Sequence, residues 1–143
     1  AERCSGDLRA KMRRWGADDE MILRIIVQLR TRNFFDDTRF AHAYAHDKST
    51  FGKWGVQKIR MYLRTKGIEQ SIIQDALAGL DESDTLENIQ VLANRKWPSI
   101  KGKSPYERKA KLMQYLLRKG FTGDQINLAI KDLMSGLELD PHP

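Results

Sequence analysis

The chain has 143 residues, with 25 Lys and Arg against 19 Asp and Glu and a single cysteine, which suits one compact domain or a short array of repeats and excludes a two-domain enzyme. No run approaches the roughly 18 apolar residues of a membrane span, no opening series reads as a signal peptide, and the lone Cys4 lacks an internal disulfide partner, so a reducing compartment, the cytoplasm, is expected. The net charge of +6 is uneven, at +2 over 1–52, +5 over 53–66, −6 over 67–94, +8 over 95–119 and −3 thereafter; two basic blocks split by an acidic one suggest discrete patches facing something anionic.

Apolar periodicity and helix punctuation predict helices near 6–15, 19–32, 37–50, 54–66, 69–80, 85–97, 105–119 and 123–135, with no strand alternation anywhere. Three segments, SGDLRAKMRRWG, VQKIRMYLRTKG and RKAKLMQYLLRKG, each end a basic helix at a glycine: Gly16, Gly67 and Gly120. Aligned on that glycine, Leu8, Ile59 and Leu112 share one column, and Met12, Leu63 and Leu116 the next. Beyond it, Ile22, Ile73 and Ile126 align, then Ile26, Leu77 and Ile130, then Leu29, Leu80 and Leu133. Steps of four and three follow one helix face, so the chain is a helical tandem repeat with a period of 51 to 53 residues.

The glycines sit where a helix ends in the left-handed region. Asp84-x-x-Glu87, Ser104-x-x-Glu107 and Thr122-x-x-Gln125 fit capping boxes, Pro105 suits a first helical position, and Asp36 or Asp37 caps the helix carrying Phe40 and Tyr44, whose i,i+4 spacing puts them on an expected core face, with the Tyr hydroxyl seeking a partner. The expected fold class is therefore all-α, with tandem three-helix repeats forming an elongated, curved array: repeat one over 1–33, repeat two over 34–82, repeat three over 83–136, and a C-terminal tail over 137–143. Repeat one lacks its leading helix in this chain, which begins at Ala1 rather than Met; a preceding segment of about one helix is expected.

The run FFDDTRFAHAYAHDK and its continuation GVQKIRMYLRTKGIEQSIIQDAL resemble the signature region of the RecX family of bacterial regulators. The resemblance rests on Asp36, Asp37, Arg39, Phe40, Ala41 and Tyr44, on Ile59, Leu63, Arg64, Lys66, Gly67 and Ile68, and on the late turn from Leu116 to Phe121. It covers almost the whole chain, in the family's order. The opening Cys4-Ser5-Gly6-Asp7-Leu8 departs from the family pattern, in which an acidic residue before Leu is usual and Gly is not. The resemblance implies a non-enzymatic modulator that docks in the groove of the RecA–single-stranded-DNA filament, bridges protomers and mostly inhibits growth, ATP hydrolysis and strand exchange. It implies no cofactor and no membrane partner, only weak non-specific nucleic-acid binding, and nothing demands more than a monomer.

Candidate contact residues come from the basic blocks. Lys53, Gln57, Arg60 and Arg64 advance by four, three and four and form a polar stripe opposite Ile59 and Leu63. Lys58 and Lys66 lie in the same block, and Arg9 and Arg13 share the columns of Arg60 and Arg64, with Arg14 beside them. The third repeat has Met113 and Leu117 in those columns and carries its charge on Arg108, Lys111 and Arg118. The loop with Arg95, Lys96, Lys101 and Lys103 is expected to be a flexible contact, in which Trp97 either stacks on a base or plugs the core; its place before Pro98 at a helix end favours the plug. Trp15 and Trp54 pose the same choice.

Catalytic and metal readings are weaker. Asp36-Asp37-x-Arg39 supplies too few oxygens for a hard cation and is better explained by capping and a local Asp–Arg pair. His42 and His46 are spaced i,i+4, but Ala43-Tyr44-Ala45 between them lacks the glutamate of a zinc-protease helix. No phosphate loop or nucleophile elbow is present in the sequence. The alternatives to a filament regulator are an autonomous helix-turn-helix-like DNA-binding module and a helical scaffold for another acidic partner.

Overall fold

A computed structural model of the chain describes residues 4–31 and 36–138, with side chains placed for 4–29 and 36–131. Eight α-helices follow one another among these residues: α1 (Ser5–Arg14), α2 (Asp19–Thr31), α3 (Asp37–Thr50), α4 (Val56–Thr65), α5 (Gln70–Ala78), α6 (Glu82–Lys96), α7 (Pro105–Arg118) and α8 (Gly123–Glu138). A 3-10 turn at Trp97–Ser99 separates α6 from α7, and no strand occurs among the described residues. The all-α, three-helix-repeat expectation holds.

Helix ends follow local chemistry. Ser104 accepts the Glu107 N–H at 3.1 Å at the start of α7, and Thr122 and Gln125 exchange bonds of 3.1 and 3.2 Å as a reciprocal capping box before α8. Asp36 caps α3 through the Arg39 N–H at 3.1 Å. Asp37 instead reaches α1, where its two oxygens accept the Ser5 N–H at 2.8 Å and the Ser5 hydroxyl at 2.6 Å, placing a carboxylate at a helix N-terminus. The box expected at Asp84 is not the start of α6: Asp81 caps that helix by accepting from the Ser83 and Asp84 N–H groups, and its bonds to Ser83 and Asp84 hold the Asp81 carboxyl below its usual range. α4 begins two residues later than expected, because Lys53 adopts φ 52° and the Trp54 N–H turns back to the Lys48 carbonyl at 2.9 Å. Lys53 is thus in a turn, off the helical stripe assigned to it.

The chain divides into two compact units, residues 1–47 with 60–79, and residues 48–59 with 80–143. In the first, Met12, Ile22 and Ile26 form a buried cluster against which Leu8, Ala17, Ile25 and Leu29 pack. In the second, α6, α7 and α8 enclose Ile89, Leu92, Ala93, Ile100, Leu112, Leu116, Phe121, Ile126, Ala129 and Ile130. The repeat columns are therefore core columns. Leu80 lies past the end of α5 and is half-buried, and the Leu133 side chain lies outside the described residues. On α3 the small residues Ala41, Ala45 and Ser49 are buried, whereas Phe40 and Tyr44, expected on the core face, are half-buried and stack on each other at 5.8 Å. Tyr44 also stacks on Tyr62 at 5.0 Å, and burial pushes its phenol up to about 12.

Gly16, Gly67 and Gly120 take φ of 88°, 75° and 102°, as helix-ending glycines require. Two other glycines exist for close approach. A Cβ on Gly6 would lie 1.6 Å from the Lys66 carbonyl oxygen, and one on Gly55 would lie 2.2 Å from the Gly120 carbonyl carbon. Each packs the start of one basic helix against the end of another, and in the second unit the Gly55 and Gln57 N–H groups donate to the Lys119 and Gly120 carbonyls at 2.7 and 2.9 Å.

Gly16→Ala meets no neighbour within 4 Å and should cost only backbone strain, about 1–2 kcal/mol. Gly6→Ala must displace the backbone it touches and should cost more, about 2–3 kcal/mol or above. Urea unfolding of the two variants checks the order.

Candidate cationic interface

The two units carry the candidate residues in different settings. In the first, Lys66 donates to Asp7 Oδ1 at 2.7 Å, and this bond, ahead of opposing desolvation, holds the ammonium above the ordinary lysine range. Lys66 also lies 5.7 Å from the Tyr62 ring. Asp7, Lys66, Leu8, Ala10, Lys11 and Arg14 line a hollow of about 440 Å³. Arg9 is half-buried and Arg14 exposed, while the exposed Arg13 pairs with Asp19 at 3.3 Å. Arg60 is half-buried and Arg64 exposed on α4, so Gln57, Arg60 and Arg64 keep their helical stripe once Lys53 is removed from it. Trp15 is 73% exposed, with the Lys11 ammonium 5.1 Å from its ring, and is no core plug.

In the second unit the structure gathers Lys58, Lys96, Lys101, Lys111 and Arg118, all singled out from the sequence, into a cleft of about 570 Å³. It adds Lys119, Tyr115 and Gln114, which the sequence alone does not single out. Lys58 lies 4.2 Å from the Trp54 ring and Lys96 lies 5.0 Å from the Tyr115 ring; such contacts orient an ammonium without neutralising it. Lys48 flanks Trp54 as well, at 4.9 Å. Lys119 donates to the Gly52 carbonyl at 3.4 Å, and desolvation together with neighbouring Lys58 pushes its ammonium below the ordinary range.

Several candidates, Lys111 of the cleft among them, are engaged within the fold. Arg108 donates to the Ile100 and Trp97 carbonyls at 3.0 and 2.9 Å and stacks 3.9 Å from the Trp97 ring. Trp97 packs against the buried cluster, so it is a plug, and Arg108 is its clamp. Lys111 reaches the Lys101 carbonyl at 2.5 Å and Glu107 at 3.5 Å, and the Lys103 N–H donates to Glu107 at 3.1 Å. The loop expected to be flexible is thus tied to α7 at several points. Lys53 donates to Asn88 at 3.4 Å; Arg95 and Lys103 are exposed. His42 and His46 are exposed on α3, and no group of three or more metal-ligating side chains is found among the described residues. No helix among them is long and apolar enough to cross a membrane.

Tandem three-helix units, each with a basic second helix ending at a left-handed glycine, define the class: an all-α helical-repeat protein with cationic clefts. Known families narrow it. Residues 36–77 match the model of the second three-helix domain of RecX and residues 82–130 that of the third. The chain is 33% identical over 130 residues to the regulatory protein RecX of Clostridium botulinum, covering 90% of this chain and 60% of that protein. It is 31% identical to that of Prosthecochloris aestuarii, covering 90% and 83%. A crystal structure of a regulatory protein RecX superposes with a TM-score of 0.84 at 28% identity, over 92% of this chain and 64% of the other. The chain belongs to the RecX family. It spans about 60% of the length of the clostridial relative.

Lys66 and Lys119, each directly before a repeat glycine, should titrate on opposite sides of the ordinary value of 10.5, Lys66 above and Lys119 below, as 13C spectra of the methylated lysines would read. The signs for stability are also opposite. The Lys66 contribution is complete below its unfolded value and is lost as pH rises through the folded one; the Lys119 contribution is present above the unfolded value and is lost as pH falls through the folded one.

Proposed function

We propose that this chain regulates the RecA–single-stranded-DNA filament, docking in its groove, bridging neighbouring protomers and mostly inhibiting recombinase and ATPase activity, as a cytoplasmic, non-enzymatic monomer without a cofactor. Membership of the RecX family carries the reading, since its relatives are named regulatory proteins. The distribution of charge supports it. Arg9 and Arg13 recur as Arg60 and Arg64 in the next repeat, and further cations gather around α7. A charge pattern repeated from one sequence repeat to the next suits a partner that is itself repetitive, whereas a helix-turn-helix module concentrates its contacts on one recognition helix.

Binding to bare single-stranded DNA, to free RecA and to the ATP-loaded filament, with the filament ATPase followed in the same titration, separates the possibilities. Tight binding only to the filament with falling ATPase supports the proposal. Equal affinity for bare DNA, steeply lost on adding salt, with no effect on the filament, identifies an autonomous DNA-binding module instead. Arg60→Glu combined with Arg64→Glu should weaken filament binding by about tenfold or more while the helical circular-dichroism signal stays unchanged. Unchanged filament binding by that folded variant removes α4 from the interface.

A further inference from the structure

The same helix junction occurs in both units with one charge reversed. Alignment on the repeat glycines puts Asp7 in the column of Lys58, and Lys66 in the column of Lys119. In the first unit the two columns meet as a 2.7 Å ion pair. In the second they bring two lysines together: Lys58 presses on the residue after Lys119, so that a Cβ on Gly120 would lie 2.5 Å from the Lys58 Cβ and 2.6 Å from its backbone nitrogen. Both lysines are half-buried. Their junction opens into the cleft of about 570 Å³, within the range of about 300–1,000 Å³ typical of ligand sites.

The lining of that cleft contains Lys58, Lys96, Lys101, Lys111, Arg118 and Lys119 and no carboxylate. Glu107, outside the lining, pairs with Lys111 at 3.5 Å. Lys58 and Lys96 are held by aromatic rings at 4.2 and 5.0 Å, so their charges are positioned but not cancelled. A scaffold that neutralises this junction internally in one unit and loads it with like charge in the other has left its counter-ion to be supplied from outside.

We propose that the α6–α7 cleft of the second unit is a phosphate-binding site, with Lys58 and Lys119 at its base and Lys96, Lys101 and Arg118 as further donors. Several ammonium groups and a guanidinium converging without a carboxylate match a multiply charged phosphate or consecutive phosphodiesters, which accept several charge-assisted hydrogen bonds at once. The phosphates come either from a single-stranded nucleic-acid backbone or from a free polyphosphate. This inference deepens the proposed function and rests on it only for the biological source of the phosphates; the site is tested on the protein without RecA, so failure here and failure of filament binding are separate results.

The decisive variant is Lys58→Asp, which recreates the Asp–Lys pair of the first unit and places a carboxylate in the first turn of α4, where the helix dipole favours it. Wild type and variant are titrated with tripolyphosphate and with an oligothymidylate, by calorimetry and by the 13C signal of methylated Lys119. The expected result is binding by the wild type with a shift of the Lys119 signal, and binding by the variant weakened by about tenfold or more. The slope of log affinity against log salt for the oligonucleotide should fall by about one to two contacts, with the melting temperature held or raised. Weakening of both ligands assigns the cleft to phosphate in general, and weakening of the oligonucleotide alone assigns it to the nucleic-acid backbone. Lys101→Gln with Arg118→Gln, both at exposed positions, is the second variant and should weaken the same ligands should Lys58→Asp fail to fold. Undetectable binding of both ligands by the wild type, or undiminished binding by folded variants, overturns the proposal.

Discussion

The structure depends on what happens where the start of one basic helix meets the end of another. A helix leaves its first N–H groups and last carbonyls without partners inside the helix, and burying either end unpaired costs about 1–3 kcal/mol per group. In the second unit the problem is solved reciprocally: N–H groups at the start of α4 bond the Lys119 and Gly120 carbonyls at the end of α7. The positive end of one dipole also faces the negative end of the other. Such an approach of backbone to backbone leaves no room for side chains, which is why both Gly55 and Gly120 are glycine and both are buried. In the first unit the glycine has moved. Cys4 stands in the Gly55 column, its buried thiol 3.8 Å from the Lys66 carbonyl, and Gly6 makes the close approach instead.

That constraint is indifferent to charge, and the charge pattern is free to vary around it. Once the backbone contacts fix Lys66 and Lys119 beside the start of another helix, the residue just before the Leu8 and Ile59 column packs through its backbone and Cβ, and its charged head group is left to vary. Asp7 uses the freedom to form an ion pair; Lys58 uses it to build positive potential. The cost of the second choice is visible in Lys119, whose ammonium is pushed down by desolvation and by Lys58. Trp54 and Tyr115 limit the cost of crowding cations here, because the negative face of an aromatic ring stabilises a cation while leaving its charge in place.

Much of the fold is legible in the sequence because it is written in spacing along single helices. The glycines, the core columns from Leu8 to Ile130 and the boxes at Ser104 and Thr122 are all local patterns, and local patterns read directly. Legibility ends where the answer lies on another element. Asp37 has the spacing of a cap for its own helix, but its partner is Ser5, 32 positions away. Phe40 and Tyr44 have the spacing of a buried face on α3, but close helix packing favours the small Ala41 and Ala45, leaving the rings to stack at the edge. Arg108 reads as surface charge, although its guanidinium closes over Trp97. Lys119 does not stand out in the sequence because its significance lies in meeting Lys58, and no spacing within one helix shows that meeting. A comparison of the Asp7–Lys58 and Lys66–Lys119 columns could have found it.

On the proposed function, distributing cations among repeats has a consequence that a single strong patch lacks. Each patch alone makes few phosphate or carboxylate contacts, so its affinity for bare, flexible nucleic acid is low and falls with salt. A filament presents its anionic groups at fixed intervals, and once one repeat is seated the others bind from a high effective concentration, so modest affinities combine. On that proposal, selectivity for an ordered filament over loose strands follows from the filament's regular spacing, without any base-specific contact. A helix end that must sit against a neighbouring glycine is well suited to this, because within each unit the junction that satisfies the backbone also holds its own pair of charged columns together.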